Sequence, residues 1–471
     1  MVFSSSTFLF IVLPIFLLIT LIFKGSKISN LLLTILSLVF YAWGEPVYVL
    51  LMIGSVFVNW LLAMPASRLA KAEDSIIKRV CLCITIAFNI GLLCLFKYAG
   101  FIAQSVNSLL GLSIPVPDIA LPIGISFFTF QVMSYVIDAY RGDVRVQFNY
   151  LKLLLYVSFF PQLIAGPIVR YADIELQIDN REVTVERFAQ GLRRFIVGLT
   201  KKLIISNCVG LIVDTVYACK PEELTLPLAW LAAICYCLQI YFDFSGYSDM
   251  AIGLGRIAGF DFLENFNYPF TAVSIQDFWR RWHISLSTWF REYVYIPLGG
   301  NRKGQLRTGI NRVIVFFLTG LWHGAQWTFV IWGLIHGLFL MLETYGVIQP
   351  AKWKFKPLRY IYTLFVVCIA FVLFRAESFS TAFTMLKTMF IGPFSTHIGD
   401  IRLVSMLNIY NIVIIAIACI AATPVLGYLR ERITNKRAAD CIGYVASAAL
   451  AVICILAISN TTYNPFIYFR F

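Results

Sequence analysis

The stretch VIVFFLTGLWHGAQWTFVIWGLIHGLFLMLE (residues 313–343) decides the fold of this chain. It is apolar enough to lie in lipid, yet Gly320 and Gly324 divide it, and His323 lies between them. The arm before the division has about nine residues, which is only about 13 Å of helix. That is well short of a hydrocarbon core of about 30 Å. We therefore expect the break and His323 to lie at membrane depth, where irregular backbone must be buried in protein or line a wet cavity.

The rest of the chain has the composition of a membrane protein. Hydrophobic residues make up 59% of the 471 residues and charged residues only 13%, whereas a soluble domain is roughly half apolar and a quarter charged. Apolar runs recur from end to end without a linker or repeat, and about ten crossings of about 20 residues each would account for them. We predict an all-α polytopic membrane protein with one domain, residues 1–471, and a retained first helix at 8–23.

The net charge of +13 comes from short basic clusters between the apolar runs. The clusters lie at 68–79, 302–312, 352–359 and 430–437. This pattern is typical of cytoplasmic loops that face anionic membrane lipids, and it does not indicate nucleic-acid binding. If these loops are cytoplasmic, the last apolar run carries the C-terminal tail, residues 460–471, to the outside.

A second unusual segment is SIQDFWRRWHISLSTWFREYVYIPLGG (residues 274–300). It is too charged to cross lipid but rich in aromatic residues, which suits an interfacial amphipathic helix or a re-entrant loop. Arg280, Arg281 and His283 are therefore candidates for positioning a substrate, with plain interfacial packing as the alternative. Trp282 and Trp322 adjoin His283 and His323, and we expect them to line the same site.

Three of the four histidines fall in these two segments. An ionisable residue inside a membrane is costly and usually functional, and a buried neutral imidazole suits general-base catalysis. We predict that role for His323, against the alternative of a core histidine bonded to a carbonyl. His336 lies on an ordinary apolar helix face and His397 in a loop, so both are predicted to be non-catalytic. The spacing fits no zinc site, and no metal is predicted.

Polar residues in apolar surroundings form a further candidate set. Asp243 and Asp249 follow an apolar run, and Gln162 lies beside Pro161. A carboxylate in such a place can orient a histidine, pair with Arg280 or Arg281, or serve only the structure. In the tail, Tyr468 is either part of an interfacial aromatic anchor or an acyl acceptor.

Several motifs together resemble the membrane-bound O-acyltransferase family, in particular its bacterial branch of alginate and peptidoglycan O-acetyltransferase membrane subunits. The motifs are SFFPQLIAGPIVRY (158–171), YFDFSGYSDMAIGLGRIAGF (241–260), ENFNYPF (264–270), DFWRRWHISLSTWFREYVYIPLGGNR (277–302) and TGLWHGAQWTFVIWGLIHG (319–337). The resemblance implies a helical bundle around a central cavity, with His323 as the family's catalytic histidine and His283 as its second signature position. The ending FIYFRF resembles a motif of this branch in which the residue matching Tyr468 is the proposed acyl relay.

The resemblance also implies a function. An acetyl group would pass from a cytoplasmic thioester, most simply acetyl-CoA, across the bacterial inner membrane, with no tightly bound cofactor. A secreted or membrane-tethered partner with an esterase-like fold would place it on an extracytoplasmic glycan. One alternative is D-alanyl transfer to teichoic acid from a carrier protein. A non-enzymatic alternative is a transporter or flippase, because broken helices at mid-membrane also occur in transporters.

Overall fold

The computed structural model describes residues 1–68, 76–460, 463–464 and 466–467. These residues are helical throughout, with turns and loops between the helices and no strand. Tyr468 and part of the basic cluster 68–79 lie outside the described residues. The helices of the first 200 residues are Phe8–Val12, Leu13–Phe23, Lys27–Ala42, Tyr48–Arg68, Ile76–Leu93, Cys94–Tyr98, Ala99–Leu110, Ile125–Arg141, Tyr150–Ser158, Phe160–Leu163, Tyr171–Asp179 and Val185–Thr200.

The remaining helices include the two segments that the sequence singles out. They are Lys201–Ser206, Asn207–Tyr217, Pro221–Glu223, Leu226–Ile257, Pro269–Thr271, Ile275–Arg281, Ile284–Phe290, Arg291–Tyr295, Gly304–His323, Trp327–Thr344, Pro350–Lys352, Pro357–Arg375, Phe379–Ile391, His397–Met406, Ile409–Ala421, Val425–Glu431 and Lys436–Asn460. An all-α fold, as the composition predicts, is confirmed.

The chain forms two compact units. Unit 1 consists of residues Met1–Phe195 and Ser248–Leu263, and unit 2 of Ile196–Tyr247 and Glu264–Phe471. Because apolar rings fill the spaces between its helices, unit 1 has an aromatic core in which the ring centroids of Phe40 and Phe160 lie 5.1 Å apart. The assignment of residues 1–471 to one domain stays a prediction.

Fewer helices are long enough to cross a membrane than the sequence predicts. Seven described stretches qualify, and an eighth results if His397–Met406 and Ile409–Ala421, bent by 65°, form one span. Other apolar stretches fold as shorter elements, such as the helix Tyr150–Ser158 of 9 residues, and the number of about ten crossings stays a prediction. The predicted first helix is present at Phe8–Phe23 as a shorter apolar helix.

The hairpin of helices Gly304–His323 and Trp327–Thr344, called the histidine hairpin below, corrects the prediction of a short arm. The first helix has 20 residues, or about 30 Å, because it begins in the basic cluster and continues through Arg307 and Arg312. Charged residues end a hydrophobic run without ending a helix. The argument that places His323 at depth from a nine-residue arm is therefore wrong.

Gly320 has a different role from the one predicted. The helix continues through it and ends at His323, so Gly324 alone marks the break. A Cβ at Gly320 would meet the carbonyl oxygen of Phe329 at 2.5 Å, and one at Gly333 would meet that of Phe316 at 2.3 Å. Both glycines thus allow the two arms of the histidine hairpin to approach closely.

Candidate active site

The segment 274–300 folds as short helices with a break at Trp282–His283. The first helix, Ile275–Arg281, is fixed at its start by two groups: the Ser274 hydroxyl accepts from the Asp277 N–H at 3.0 Å, and the Glu343 carboxylate accepts from the N–H groups of Ile275 and Gln276 at 2.7 and 2.9 Å. These bonds satisfy donors that a helix start leaves without intrahelical partners. The segment that carries Arg280 and His283 is thereby attached to the second arm of the histidine hairpin.

His283 has a left-handed backbone, with φ of 45°, which is unusual for a residue other than glycine. Its side chain is fully buried. Asn265 holds this turn: its Oδ1 accepts from the Ser285 N–H at 3.1 Å and the Ser285 hydroxyl at 2.9 Å, and it lies 3.3 Å from Nδ1 of His283. Since Oδ1 accepts, Nδ1 must carry the proton, and Nε2 of His283 presents its lone pair.

Burial lowers the pKa of His283 to about 3, so the imidazole is neutral near pH 7. Among the described residues Nε2 has no hydrogen-bond partner. A buried nitrogen with an available lone pair is suited to accept a proton or a substrate hydroxyl. The geometry therefore makes His283 a candidate for direct contact with substrate.

His323 ends the first arm of the histidine hairpin and is 5% exposed. Its ring lies 6.4 Å from that of His283, and the Trp322 ring contacts both, at 5.0 Å from His323 and 5.8 Å from His283. The rings of Trp332 and Phe374 contact His323 at 5.0 and 5.2 Å. Two imidazoles that are 40 residues apart in sequence thus share one aromatic cluster, as the two motifs predict.

A small cavity adjoins His323. It measures about 10 Å³, which is about the room that one water molecule needs. Its lining is apolar apart from the imidazole and the indole N–H groups, and it consists of Ile240, Phe244, Trp282, His323, Trp332, Phe371 and Phe374. Trp282 lines this cavity, and its predicted role in substrate binding stays a prediction. The apolar lining strengthens electrostatic contacts at His323.

His336 belongs to the same cluster, which the sequence does not indicate. Its ring stacks on Phe278 at 6.1 Å and contacts Trp279 and Trp332 at 5.2 and 5.1 Å. It is fully buried, and neither ring nitrogen has a hydrogen-bond partner in the described part of the chain. Trp332 contacts both His336 and His323, so His336 lies one ring away from the site.

An open pocket of about 270 Å³, called the arginine pocket below, is lined in part by Trp279. Arg280, Arg291 and Arg312 line it, together with Gln276, Trp279, Leu286, Ser287, Phe290, Tyr295, Asn301, Val315, Phe316, Thr319 and Leu340. Arg280 forms no ion pair with another described residue, whereas Arg281 pairs with Asp277 at 2.9 Å and does not line the pocket. The two neighbouring arginines, both predicted to position a substrate, therefore differ in their contacts, and that role stays a prediction for each.

The pocket and the histidine cluster meet through aromatic rings. Trp279, which lines the pocket, lies 5.9 Å from Trp332, and Trp332 lies 5.0 Å from His323. One tryptophan thus separates a basic pocket from the imidazole. A ligand with an anionic head and a reactive end suits such an arrangement.

The remaining predicted residues are not among those that line the cavity at His323 or the arginine pocket. Asp243 pairs with Lys202 at 2.6 Å, and Asp249 pairs with Arg194 at 2.6 Å. Among the described residues Asp243 shows no ion pair with Arg280 or Arg281, and the role of either carboxylate at the site stays a prediction. Gln162 and Asp249 belong to unit 1, where the Gln162 amide donates to the carbonyl of Tyr156.

Asn265 is the functional candidate that the sequence analysis missed. It lies in the quoted motif ENFNYPF, but an asparagine in a loop carries no local sign of its partners. Its contact with His283 spans 18 residues, and only the fold brings the two side chains together. The one signal in the sequence is the place of Asn265 in that motif.

The fold and the site define a multi-pass helical membrane protein with two buried imidazoles beside a basic pocket, an arrangement suited to acid–base catalysis. This chain belongs to the membrane-bound O-acyltransferase family, whose model matches residues 142–385. It is accordingly a membrane O-acyltransferase, and the transporter alternative is set aside.

The chain is similar to several acyltransferases that are named for different polymers. A probable alginate O-acetylase of Pseudomonas aeruginosa is 43% identical over 398 residues, covering 83% of this chain and 75% of the relative. The peptidoglycan O-acetyltransferase of Helicobacter pylori is 35% identical over 423 residues, covering 83% and 80%. The teichoic acid D-alanyltransferase of Bacillus subtilis is 29% identical over 276 residues, covering 55% and 69%.

Proposed function

We propose that this chain transfers an acetyl group from acetyl-CoA at the cytoplasmic face toward an extracytoplasmic glycan, such as alginate or peptidoglycan. The observation that carries the proposal is the pair of buried imidazoles, His283 and His323, in one aromatic cluster next to the arginine pocket. The relatives named as acetylases support it. They cover more of the chain than the relative named as a D-alanyltransferase.

In the proposed step His323 acts as the general base. It removes the proton from an acceptor hydroxyl while the oxygen forms a bond to the thioester carbonyl carbon. The resulting tetrahedral species collapses, the carbon–sulfur bond breaks, and the thiolate takes the proton from the imidazolium. Atoms and charge balance, with an ester and a free thiol as products.

The arginine pocket would hold the donor. Guanidinium groups bind phosphates through paired hydrogen bonds, and the phosphates of acetyl-CoA are the anionic part that Arg280, Arg291 and Arg312 would bind. The neighbouring basic residues of the cluster 302–312 support a cytoplasmic location of this pocket, because cytoplasmic loops are enriched in Lys and Arg. The thioester would then extend past Trp279 toward His323.

The acceptor side completes the proposal. The chain would lie in the bacterial inner membrane with its C-terminal tail outside, and Tyr468 would accept the acetyl group first. A secreted or membrane-tethered partner with an esterase-like fold would pass it to the glycan. The cavity of about 10 Å³ beside His323 is smaller than an acetyl group and its acceptor together, so aromatic side chains must move as substrate enters.

The test replaces the gene by a copy with His323→Ala and compares it with His397→Ala, a matched control in an exposed histidine. Mild base then releases esters from purified exopolysaccharide and cell wall, and acetate and D-alanine are measured separately. We expect His323→Ala to lower ester acetate at least about 100-fold at equal protein level and His397→Ala to leave it unchanged. Full acetate with His323→Ala would refute the role, and D-alanine in place of acetate would favour the alternative reaction.

A further inference from the structure

The described residues of the C-terminal segment are bound within unit 2. The Ile467 N–H donates to Oδ2 of Asp243 at 2.8 Å, and the Tyr463 hydroxyl donates to Oδ2 of Asp214 at 2.6 Å. The Phe466 ring lies 5.0 Å from that of Tyr247. Phe466 and Ile467 are only 7% and 6% exposed. This part of the segment is therefore buried in protein and does not form the interfacial anchor that its aromatic composition also permits.

Both carboxylates that hold the segment are already paired with a cation. Oδ1 of Asp243 lies 2.6 Å from Nζ of Lys202, and their side chains are 1% and 4% exposed. Oδ1 of Asp214 lies 2.7 Å from Nη2 of Arg375. Each carboxylate thus gives one oxygen to a cation and the other to the C-terminal segment.

A buried ion pair is weak evidence for stability. Its desolvation often costs as much as the attraction returns, and its best-attested use is to fix a register or a switch. Here the second oxygen of Asp243 accepts from the backbone N–H of Ile467. The contacts of the Tyr463 hydroxyl with Asp214 and of the Phe466 ring with Tyr247 distinguish this position from its neighbours. The arrangement therefore suits a device that sets the register of the C-terminal segment.

The register matters because of where Asp243 lies. It is on helix Leu226–Ile257 next to Phe244 and three residues after Ile240, and both of these line the cavity at His323. Tyr468 directly follows Ile467 in the sequence. The bond to Asp243 thus fixes the residue before Tyr468 at the helix that forms one wall of that cavity.

We propose that Asp243 and Asp214, each held by its cation, form a seat for the C-terminal segment and act as positioning residues for acyl transfer through it. This inference rests on the proposed function. Neither carboxylate exchanges a proton or forms a bond to the acyl group. Their part is to hold the backbone at Ile467 and the ring at Tyr463 in place.

Two double variants of the full chain test the seat. Lys202→Met with Asp243→Asn removes both charges but keeps an acceptor oxygen for the Ile467 N–H. Lys202→Met with Asp243→Leu removes both charges and the acceptor, with nearly the same volume. Because the buried ion pair is lost in both, only the bond to the segment differs.

Two readouts are compared at equal protein level. Carboxypeptidase digestion of the purified chain in detergent, followed by intact mass, measures how fast Ile467 is removed, and ester acetate on the glycan measures transfer. With Asn at position 243 we expect Ile467 to stay protected and at least a third of the wild-type acetate to remain. With Leu we expect removal to be at least tenfold faster and acetate at least tenfold lower.

The outcomes separate the two proposals. If the Asn and Leu variants behave alike in both readouts, the seat is refuted. If Ile467 is released but acetate is unchanged, the positioning role is refuted while the acetyl transfer stands. If His323→Ala leaves acetate intact, the proposed function itself fails, whatever the digestion shows.

A single variant covers the case in which the double variants do not accumulate. Tyr463→Phe loses only the hydroxyl that donates to Asp214, whose other oxygen stays paired with Arg375. We expect Ile467 to be removed several-fold faster and acetate to fall by a similar factor. Unchanged digestion and unchanged acetate would overturn the proposal.

Discussion

We expect Asn265→Leu to disable the site although both histidines keep their identity. The amide oxygen of Asn265 accepts from the backbone and hydroxyl of Ser285 and faces Nδ1 of His283. Leucine has nearly the same shape but no acceptor. The substitution therefore removes the group that fixes both the proton and the orientation of the His283 ring.

The magnitude follows from the donors that lose their partner. The Ser285 hydroxyl can turn to another acceptor, but the Ser285 N–H and Nδ1–H of His283 are buried and fixed. Each stranded buried donor costs about 1–3 kcal/mol, so the free energy of unfolding should fall by about 2–6 kcal/mol. Since the ring is no longer held in one orientation, the transfer rate should fall roughly 10- to 100-fold.

Two measurements decide the outcome. Thermal unfolding of the purified chain in detergent reports the stability, and ester acetate per copy of membrane protein reports the rate. The control is Asn267→Leu in the same loop. Asn267 is exposed, and within the described part of the chain its one hydrogen bond is from its backbone N–H to the Arg281 carbonyl at 2.9 Å. Wild-type stability and acetate in Asn265→Leu, or equal losses in the control, would refute the reasoning.

Two further predictions concern the turn at His283 and the histidine hairpin. Burial lowers the pKa of His283 to about 3. Below about pH 6.5 the unfolded chain therefore binds a proton at this residue that the folded chain does not bind. As a result, His283 lowers the free energy of unfolding by about 1.4 kcal/mol for each pH unit below that value. His283→Asn, which tolerates the left-handed backbone, should reduce the loss of stability between pH 7 and pH 5; an unchanged slope would contradict the assignment. Gly333→Ala places a Cβ 2.3 Å from the Phe316 carbonyl oxygen and should cost about 1–3 kcal/mol of unfolding free energy together with activity. Gly91→Ala, with no atom within 4 Å, is the control, and equal midpoints of thermal unfolding in the two variants would exclude close packing as the cause.

The fold class is predicted by the sequence, and the two histidines that the sequence singles out are buried in one aromatic cluster. Membrane helices follow from composition, and His323 and His283 stand out because ionisable residues are rare in apolar segments. The extent of the helices is less predictable. The basic residues Arg307 and Arg312 mark where a hydrophobic run ends, but a helix is held by its backbone bonds and continues through them. For this reason the sequence predicts an arm of nine residues where the structure has a helix of 20 residues.

Contacts between distant residues account for most of what the sequence could not predict. Asp243 and Ile467 are 224 residues apart, and nothing near Asp243 in the sequence indicates a backbone N–H as its partner. His336 looks like one more residue on an apolar helix face until Trp332 is seen to contact both it and His323. In each case the residue type is visible in the sequence, and the partner is determined only by packing.

The aromatic surroundings of His323 also constrain how the proposed reaction can proceed. An imidazolium among Trp322, Trp332 and Phe374 would lose most of its hydration, and burying a charge is costly. His283 lies 6.4 Å away, and an imidazole supplies no negative charge. In the proposed reaction the departing thiolate takes the proton from His323 and so removes the buried positive charge. A thioester donor provides this proton acceptor, because the thiolate leaves from the same carbonyl carbon that the acceptor oxygen attacks.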